Sequence, residues 1–275
     1  MDKNLNIPIY IFTTKFGYYI SLVIKYLLEM NNISSIITFE INKSIDNLYI
    51  ILFSQKVKVY PKNYVIYQLE QYKISKWIDN KYKLSILFSK KTFDYSHSNI
   101  NKFDEILKKK INYFGIPLIK YSNLVNQELK LPESTDILFY GSMNEFRKNK
   151  INYLKNRLRN LNFKVINNIY GKDLFYEIYK SKIILNIHFY PNSILETCRI
   201  NEALSCKKLV ISLKPNPIDK FNYNLYRDCV VFAENIDDMY NKILFYLFDR
   251  YEYNNIINKI KYEDNYESIL EFIKN

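Results

Sequence analysis

The sequence predicts an α/β protein of two Rossmann-like domains facing each other across a cleft, and three observations carry that expectation. Short β-branched and aromatic runs alternate with helix-spaced apolar positions from residue 7 to residue 119. A polar stretch, residues 121–135, contains Pro132 and has no apolar period. The alternation then restarts at Asp136 and continues to Phe248. Strands that alternate with helices assemble into parallel sheets covered on both faces.

Residues 7–14 form an apolar run that ends near Gly17, the pattern of a buried strand feeding a turn. Tyr19, Val23, Tyr26, Leu27 and Met30 then recur at helical spacing. Runs at 35–40, 48–54, 64–69 and 85–89 read as strands, 100–107 as a helix and 113–119 as a strand. This first domain spans 1–121, and 122–135 is the expected linker. In the second domain, 136–250, strands are expected at 136–140, 163–169, 183–189, 209–213 and 229–232. Helices are expected where Ile151, Leu154, Leu158 and Leu161 recur, and at 173–179, 194–204 and 236–248. Asp237 and Asp238 in the first turn of the last suit its positive dipole end. The tail, 251–275, reads as one or two helices able to cross back over the first domain.

Composition narrows the function classes. The chain has 275 residues, of which 48% are hydrophobic and 25% charged, which excludes wholesale disorder. No apolar run approaches the roughly 20 residues that span a bilayer. Lys+Arg outnumber Asp+Glu by 40 to 28, a net charge of +12, which favours anionic ligands. Part of that charge tracks codon bias, since Ile, Asn, Lys and Tyr dominate while Ala203 and Ala233 are the only alanines. Nucleic-acid binding is therefore not expected from charge alone, and no familiar binding motif supports it. Cys198, Cys206 and Cys229 form no C-x-x-C pair, which argues against a disulfide framework or a zinc site and for a reducing compartment. The opening Met-Asp-Lys-Asn carries no basic-then-apolar leader, so the expected location is cytoplasmic.

The richest stretch is N-I-H-F-Y-P-N-S-I-L-E-T-C-R-I-N-E-A-L-S-C-K-K-L-V-I-S, residues 186–212. Within it, Arg199, Glu202, Ala203, Leu204 and Cys206 fit R-x-x-E-A-L-x-C, preceded by D-L-F-Y-E-I-Y-K-S-K-I-I-L-N at 173–186. The run I-L-F-Y-G-S at 137–142 precedes Arg147 and Lys148. Together these segments resemble the donor site of GT-B glycosyltransferases, in particular the group 1 and spore-coat-type branches. The resemblance covers residues 136–248. In the first domain, Y-Q-L-E-Q (67–71) and D-Y-S-H-S-N-I (94–100) look like segments of related viral and bacterial sugar transferases.

The resemblance implies a metal-independent, hexosyltransferase-like enzyme that moves a sugar from a nucleotide-sugar donor to an acceptor hydroxyl, with no further cofactor. Glu202 would hold the ribose, and Arg199, Arg147 and Lys148 would meet the diphosphate beside Gly141 and Ser142. His188 and Glu196 are the candidate catalytic groups, and Thr14, Lys15 and Gly17 line the acceptor side. The acceptor would be a glycan, a protein or a lipid-linked species, with peripheral membrane contact through the basic first domain. Two positions depart from the family pattern. Ile194 stands where the first glutamate of E-x7-E falls, with Glu202 as the second, and Lys207 replaces the usual glycine. The partial E-x7-E likeness implies a retaining outcome.

Elementary chemistry reaches compatible roles. Arginine forks bind phosphate oxygens bidentately, and fixed cations stabilise a departing diphosphate. No D-x-D occurs to clamp that diphosphate through a metal. Plainer readings stand beside these. Ser193 and Glu196 have the spacing of a capping box, and Arg199 and Glu202 that of a surface ion pair. Arg147 and Lys148 open a helix where cations oppose the dipole, although 147–159 also reads as a solvated basic face. His188 follows a strand and could be a satisfied structural histidine, and His97 a solvated loop residue. Two-domain folds of this kind also serve epimerases and periplasmic binding proteins, so the alternatives are an inactive nucleotide- or glycan-binding relative and a basic nucleic-acid-binding protein.

Overall fold

The computed structural model describes residues 7–42, 46–72 and 74–273. Two units emerge, Met1–Pro117 with Glu263–Asn275, and Leu118–Tyr262. In the first lie β1 (Ile9–Phe12), α1 (Tyr18–Met30), β2 (Ser35–Thr38), β3 (Tyr49–Ile51), β4 (Tyr64–Gln68) and α2 (Asn80–Phe88). There follow β5 (Lys91–Asp94), α3 (His97–Ile100), α4 (Glu105–Lys108) and β6 (Ile111–Tyr113). The sheet runs β2-β1-β3-β4-β5-β6 with every neighbouring pair parallel. Tyr19, Val23, Ile24, Leu27 and Leu28 bury one side of α1, as their spacing requires. The chain order reverses between β1 and β3, where loops at the strands' C-terminal ends open a crevice in such sheets.

Three first-unit expectations need correction. Residues 85–89 belong to helix α2 and its C-cap rather than to a strand. This helix buries Tyr82, Ser85 and Ile86 yet also carries exposed Leu84 and Phe88, so its apolar pattern has no clean helical period. The single helix expected at 100–107 is two four-residue helices, each started by its own N-cap residue, Ser96 and Asp104. The strand expected at 113–119 ends at Tyr113; Gly115 and Pro117 follow, and residues 114–120 form no ladder.

The last described segment, a 3₁₀ turn at Glu267–Phe272, completes the first unit's core. Phe272 is 1% exposed and stacks on Phe93 at 4.1 Å, with Phe114 edge-on at 4.7 Å. Asn31 Nδ2 donates to the Tyr266 carbonyl (2.8 Å). The opening Met-Asp-Lys-Asn and residues 274–275 of the tail lie outside the described residues.

The second unit holds α5 (Tyr121–Val125), β7 (Thr135–Tyr140), α6 (Glu145–Arg157), β8 (Phe163–Ile166), α7 (Gly171–Tyr179) and β9 (Ser181–Asn186). It continues with α8 (Thr197–Ser205), β10 (Leu209–Leu213), α9 (Lys220–Tyr226), β11 (Val230–Ala233), α10 (Ile236–Phe248) and α11 (Arg250–Ile257). Its all-parallel sheet runs β11-β10-β9-β7-β8. Ile137, Phe139, Ile183, Leu185, Leu209 and Ile211 share one core with Leu154 of α6 and Met239 and Ile243 of α10. The winding reverses between β7 and β9, so this unit's crevice is expected beyond those two strand ends.

Helix α8 starts at Thr197, three residues later than expected, and no capping box forms. Ser193 Oγ instead donates to the Tyr190 carbonyl (2.7 Å), and Glu196 turns to other partners. The other end of α8 accounts for Lys207. Its N–H donates to the Leu204 carbonyl and that of Lys208 to Ala203, the paired bonds of a Schellman cap. Lys207 sits at φ 56°, the left-handed conformation that glycine adopts most easily.

Candidate functional site

The candidate residues of the second unit gather at the winding reversal. Gly141 follows β7, and residues 187–196 lead from β9 into α8. Arg147, in the first turns of α6, is 1% exposed. Its Nε donates to the Ile187 carbonyl (2.8 Å), Nη1 to the Ser142 carbonyl (2.8 Å) and Nη2 to both Glu196 oxygens (3.2 and 3.0 Å). Its guanidinium also lies 5.1 Å from the Phe189 ring centroid. Asn144 caps α6 by accepting from the Arg147 N–H (2.9 Å) while its Nδ2 donates to the Phe189 carbonyl. A cation at the head of a helix is tolerated here because three loop acceptors surround it.

Glu196 stands between two arginines. Oε2 accepts from Arg199 Nη1 (2.6 Å) as well as Arg147, and Oε1 accepts from the Phe189 N–H (2.8 Å). Burial works to raise its pKa, but Arg199, Arg147 and His188 together hold it below the ordinary value. The i, i+3 ion pair of α8's first turn is thus Glu196–Arg199 rather than Arg199–Glu202. Burial and the neighbouring Arg199 both pull Arg147 down, and Glu196 keeps the two like charges together. In this triad Arg147 is buried and Glu196 and Arg199 are part-buried, and Glu196 orients both arginines.

Arg199 is the most exposed member, at 17% against 15% for Glu196 and 1% for Arg147. Nη1 also donates to Asn186 Oδ1 (3.2 Å), so Glu196 and Asn186 fix one side of the fork. Nη2 lies against Gly141: a Cβ built on that residue would come within 3.0 Å of it. Gly141 sits at φ +124°, so a side chain there meets both backbone strain and the guanidinium. One turn along α8, Glu202 is half-buried, and burial pushes its pKa up to about 7 against the pull of the Tyr140 hydroxyl and Arg199. Tyr140 is buried at the end of β7, and its hydroxyl donates to the Arg199 carbonyl (3.1 Å).

His188 is 4% exposed, with Nε2 3.0 Å from the Leu213 carbonyl. A carbonyl can only accept, so that nitrogen carries the proton and Nδ1 presents a lone pair. Nδ1 is buried with no hydrogen-bond partner. Burial lowers the histidine's pKa, and the ring is neutral at pH 7. Lys148 and Ser142 are both exposed, Ser142 contributing its carbonyl to Arg147. Burial pushes Cys198 up to about 12 and Cys229 up to about 11, and it raises Cys206 as well, so all three are thiols. Among the described residues no group of three or more His, Cys, Asp or Glu side chains could hold a metal ion.

Thr14, Lys15 and Gly17 lie in the first unit, on the loop after β1. Thr14 Oγ1 is buried with no hydrogen-bond partner, and Lys15 is exposed. Gly17 is a close approach: a Cβ there would fall 2.4 Å from the Phe53 ring and 2.6 Å from Thr13 Oγ1. His97 is exposed, and its ring stacks on Tyr113 at 4.0 Å. Sequence reasoning missed Asn144, Asn186 and Tyr140, although an Asn just before a helix is a legible N-cap signal for the first.

No protein-family profile matches the chain, and no curated protein matches it. Solved structures do. An α1,3-fucosyltransferase with GDP is 12% identical over 99% of this chain and 91% of its own (TM-score 0.53). An α-glucosyltransferase in complex with UDP and a 13-mer DNA is 10% identical over 96% of this chain and 95% of its own (TM-score 0.53). A Listeria monocytogenes protein taken to be a UDP-N-acetylglucosamine 2-epimerase is 10% identical, covering 94% and 93% (TM-score 0.51). The two parallel sheets, of six and five strands, are those of the GT-B fold class. At these identities the likeness fixes the fold and leaves the reaction to the site.

Proposed function

We propose that this chain is a glycosyltransferase that binds a nucleotide-sugar in its second unit. The observation that carries the reading is the part-exposed guanidinium of Arg199, held by Glu196 and Asn186 at the winding reversal, with Glu202 one turn away. A diphosphate needs a preorganised cation where charge develops, and ribose hydroxyls need a carboxylate acceptor. Arg199 takes the first role and Glu202 the second. Glu196 and Arg147 are positioning residues, and Lys148 adds surface charge near the mouth. Side-chain cations carry the diphosphate charge in this reading, with no metal or further cofactor.

His188 is the proton acceptor we assign, since it is a neutral imidazole with an unpartnered buried Nδ1. Retention is the stereochemical outcome the E-x7-E likeness favours. Ile194, 0% exposed, occupies the first glutamate's position, so Glu202 and Glu196 are the carboxylates left on this stretch. The loop bearing Thr14, Lys15 and Gly17 is assigned to the acceptor, whether glycan, protein or lipid-linked.

The test is thermal stabilisation by uridine, guanosine and thymidine diphosphates and their sugars, with Glu202→Ala in parallel. A ligand at ~100 times its Kd adds about 2.7 kcal/mol. A shift with one base that disappears in Glu202→Ala, followed by release of that nucleoside diphosphate on turnover, meets the proposal. A shift without turnover on any acceptor moves the chain to the inactive-binder reading, which buried Ile194 favours. No shift with any nucleotide, in a folded sample, rejects the donor site.

A further inference from the structure

In the first unit, α2 is apolar on two sides. Its inner side buries Tyr82 and Ile86, whereas Leu84 and Phe88 are 50% and 76% exposed. Lys81, Leu84 and Phe88 are spaced i, i+3 and i+7, which places them in one line along the outer face. Two contacts extend that line sideways. The Lys81 ammonium donates to the carbonyls of Val57 (2.8 Å) and Lys58 (3.3 Å). Lys56 Nζ lies 4.4 Å over the ring of Trp77, the chain's single tryptophan, itself 41% exposed. Val59, 49% exposed, adjoins Lys58.

Lys56, Lys58, Lys62, Lys76 and Lys81 are all exposed around this surface. Among the described residues the acids nearby are Asp46, paired with Lys62, Asp79, which caps α2 by accepting from the Tyr82 N–H, Glu70, which faces Lys56, and Asp104, paired with Lys83 of α2. With Lys83, six lysines against these four carboxylates leave the face cationic. Exposed Leu, Phe and Val beside a part-exposed Trp flanked by lysines is the composition of a surface that lies in the headgroup layer of a bilayer. A nucleic acid would offer Trp77 a base to stack on but nothing apolar for Leu84 and Phe88.

We propose that this face docks the chain on a bilayer rich in anionic lipid, with Trp77, Leu84 and Phe88 entering the acyl boundary and the lysines meeting headgroups. It rests on the first unit alone and stands whether or not the second unit transfers sugar.

The experiment is co-sedimentation of the full chain with vesicles of phosphatidylcholine, with and without phosphatidylserine. Sedimentation with the anionic vesicles, reversed by added salt, is expected. The double substitution Lys58→Glu with Lys76→Glu weakens partitioning at least about tenfold, at roughly a fivefold loss per surface lysine. Leu84→Ser with Phe88→Ser weakens it comparably, and because all four side chains are exposed, the melting temperature stays unchanged. Failure of the parent chain to sediment with anionic vesicles overturns the proposal. So does equal binding by either double variant, or binding to DNA or RNA oligonucleotides with none to vesicles.

Discussion

Replacing Glu196 by glutamine is the sharpest probe of the second unit, because the change is isosteric and removes only charge. The carboxylate accepts from Arg199 at 2.6 Å and from Arg147 at 3.0 Å, and Arg147 is 1% exposed. A glutamine keeps one acceptor but offers its amide to a guanidinium and leaves two arginines without a counter-charge. Breaking a buried pair by deleting one partner costs about 3–5 kcal/mol; since Glu196 and Arg199 are 15% and 17% exposed, the lower end, about 3 kcal/mol, applies. For a unit of this size that lowers Tm by about 6–12 °C in calorimetry. The pH dependence has a definite sign. Glu196's folded pKa is depressed, so its contribution is full above the unfolded value near 4.3 and is lost as pH falls through the folded value. The gap between parent and Glu196→Gln therefore persists at neutral pH and closes in acid. A Glu196→Gln protein melting within about 1 °C of the parent at pH 7 refutes the positioning argument.

Lys207→Gly relieves a left-handed lysine costing about 1–2 kcal/mol, less the glycine's own entropy cost, and is expected to raise stability by about 0.5–1 kcal/mol in urea titration. Gly141→Ala meets Arg199 Nη2 at 3.0 Å from a residue at φ +124°, so nucleotide-induced stabilisation disappears while near-UV dichroism stays native. In the proposed donor site Glu202, pushed up to about 7, accepts from both ribose hydroxyls only as the carboxylate, so affinity for a nucleotide-sugar is expected to rise about tenfold from pH 6 to pH 8, and Glu202→Gln to flatten that profile in calorimetric titration. The same raised pKa makes Glu202's own contribution to stability fall as pH climbs from about 4 to 7, opposite in sign to that of Glu196.

The α/β class, and most second-unit strands, were legible because parallel strands buried on both faces read as unbroken apolar runs: Ile137, Leu138 and Phe139 are each 0% exposed. Helix α2 was not, since exposed Leu84 and Phe88 fill the gaps that a solvent-facing side would normally leave polar. At the site, residue types were readable but partnerships were not. Arg147 opens a basic run that resembles a solvated face, and the three acceptors that bury it come from loops up to 49 residues away. Glu196 had the spacing of a cap, and only the fold brings Arg147 and the Phe189 N–H within reach to recruit it elsewhere. Lys207 departs in identity from the glycine of the pattern this stretch resembles while keeping the left-handed backbone geometry that glycine serves.

The stacking of Phe272 on Phe93 has a bearing on biosynthesis. A domain made first on the ribosome ordinarily folds first, but here the first unit is closed by a segment that lies downstream of the whole second unit. At about 5–20 residues per second, strands β1–β6 wait roughly 7–30 s with Phe93 and Phe114 uncovered before Phe272 emerges. The second unit has no such dependence and can mature while that wait continues. The nascent first half is thus the stage at which this chain most needs a chaperone, and at which a stalled or prematurely terminated translation product would aggregate.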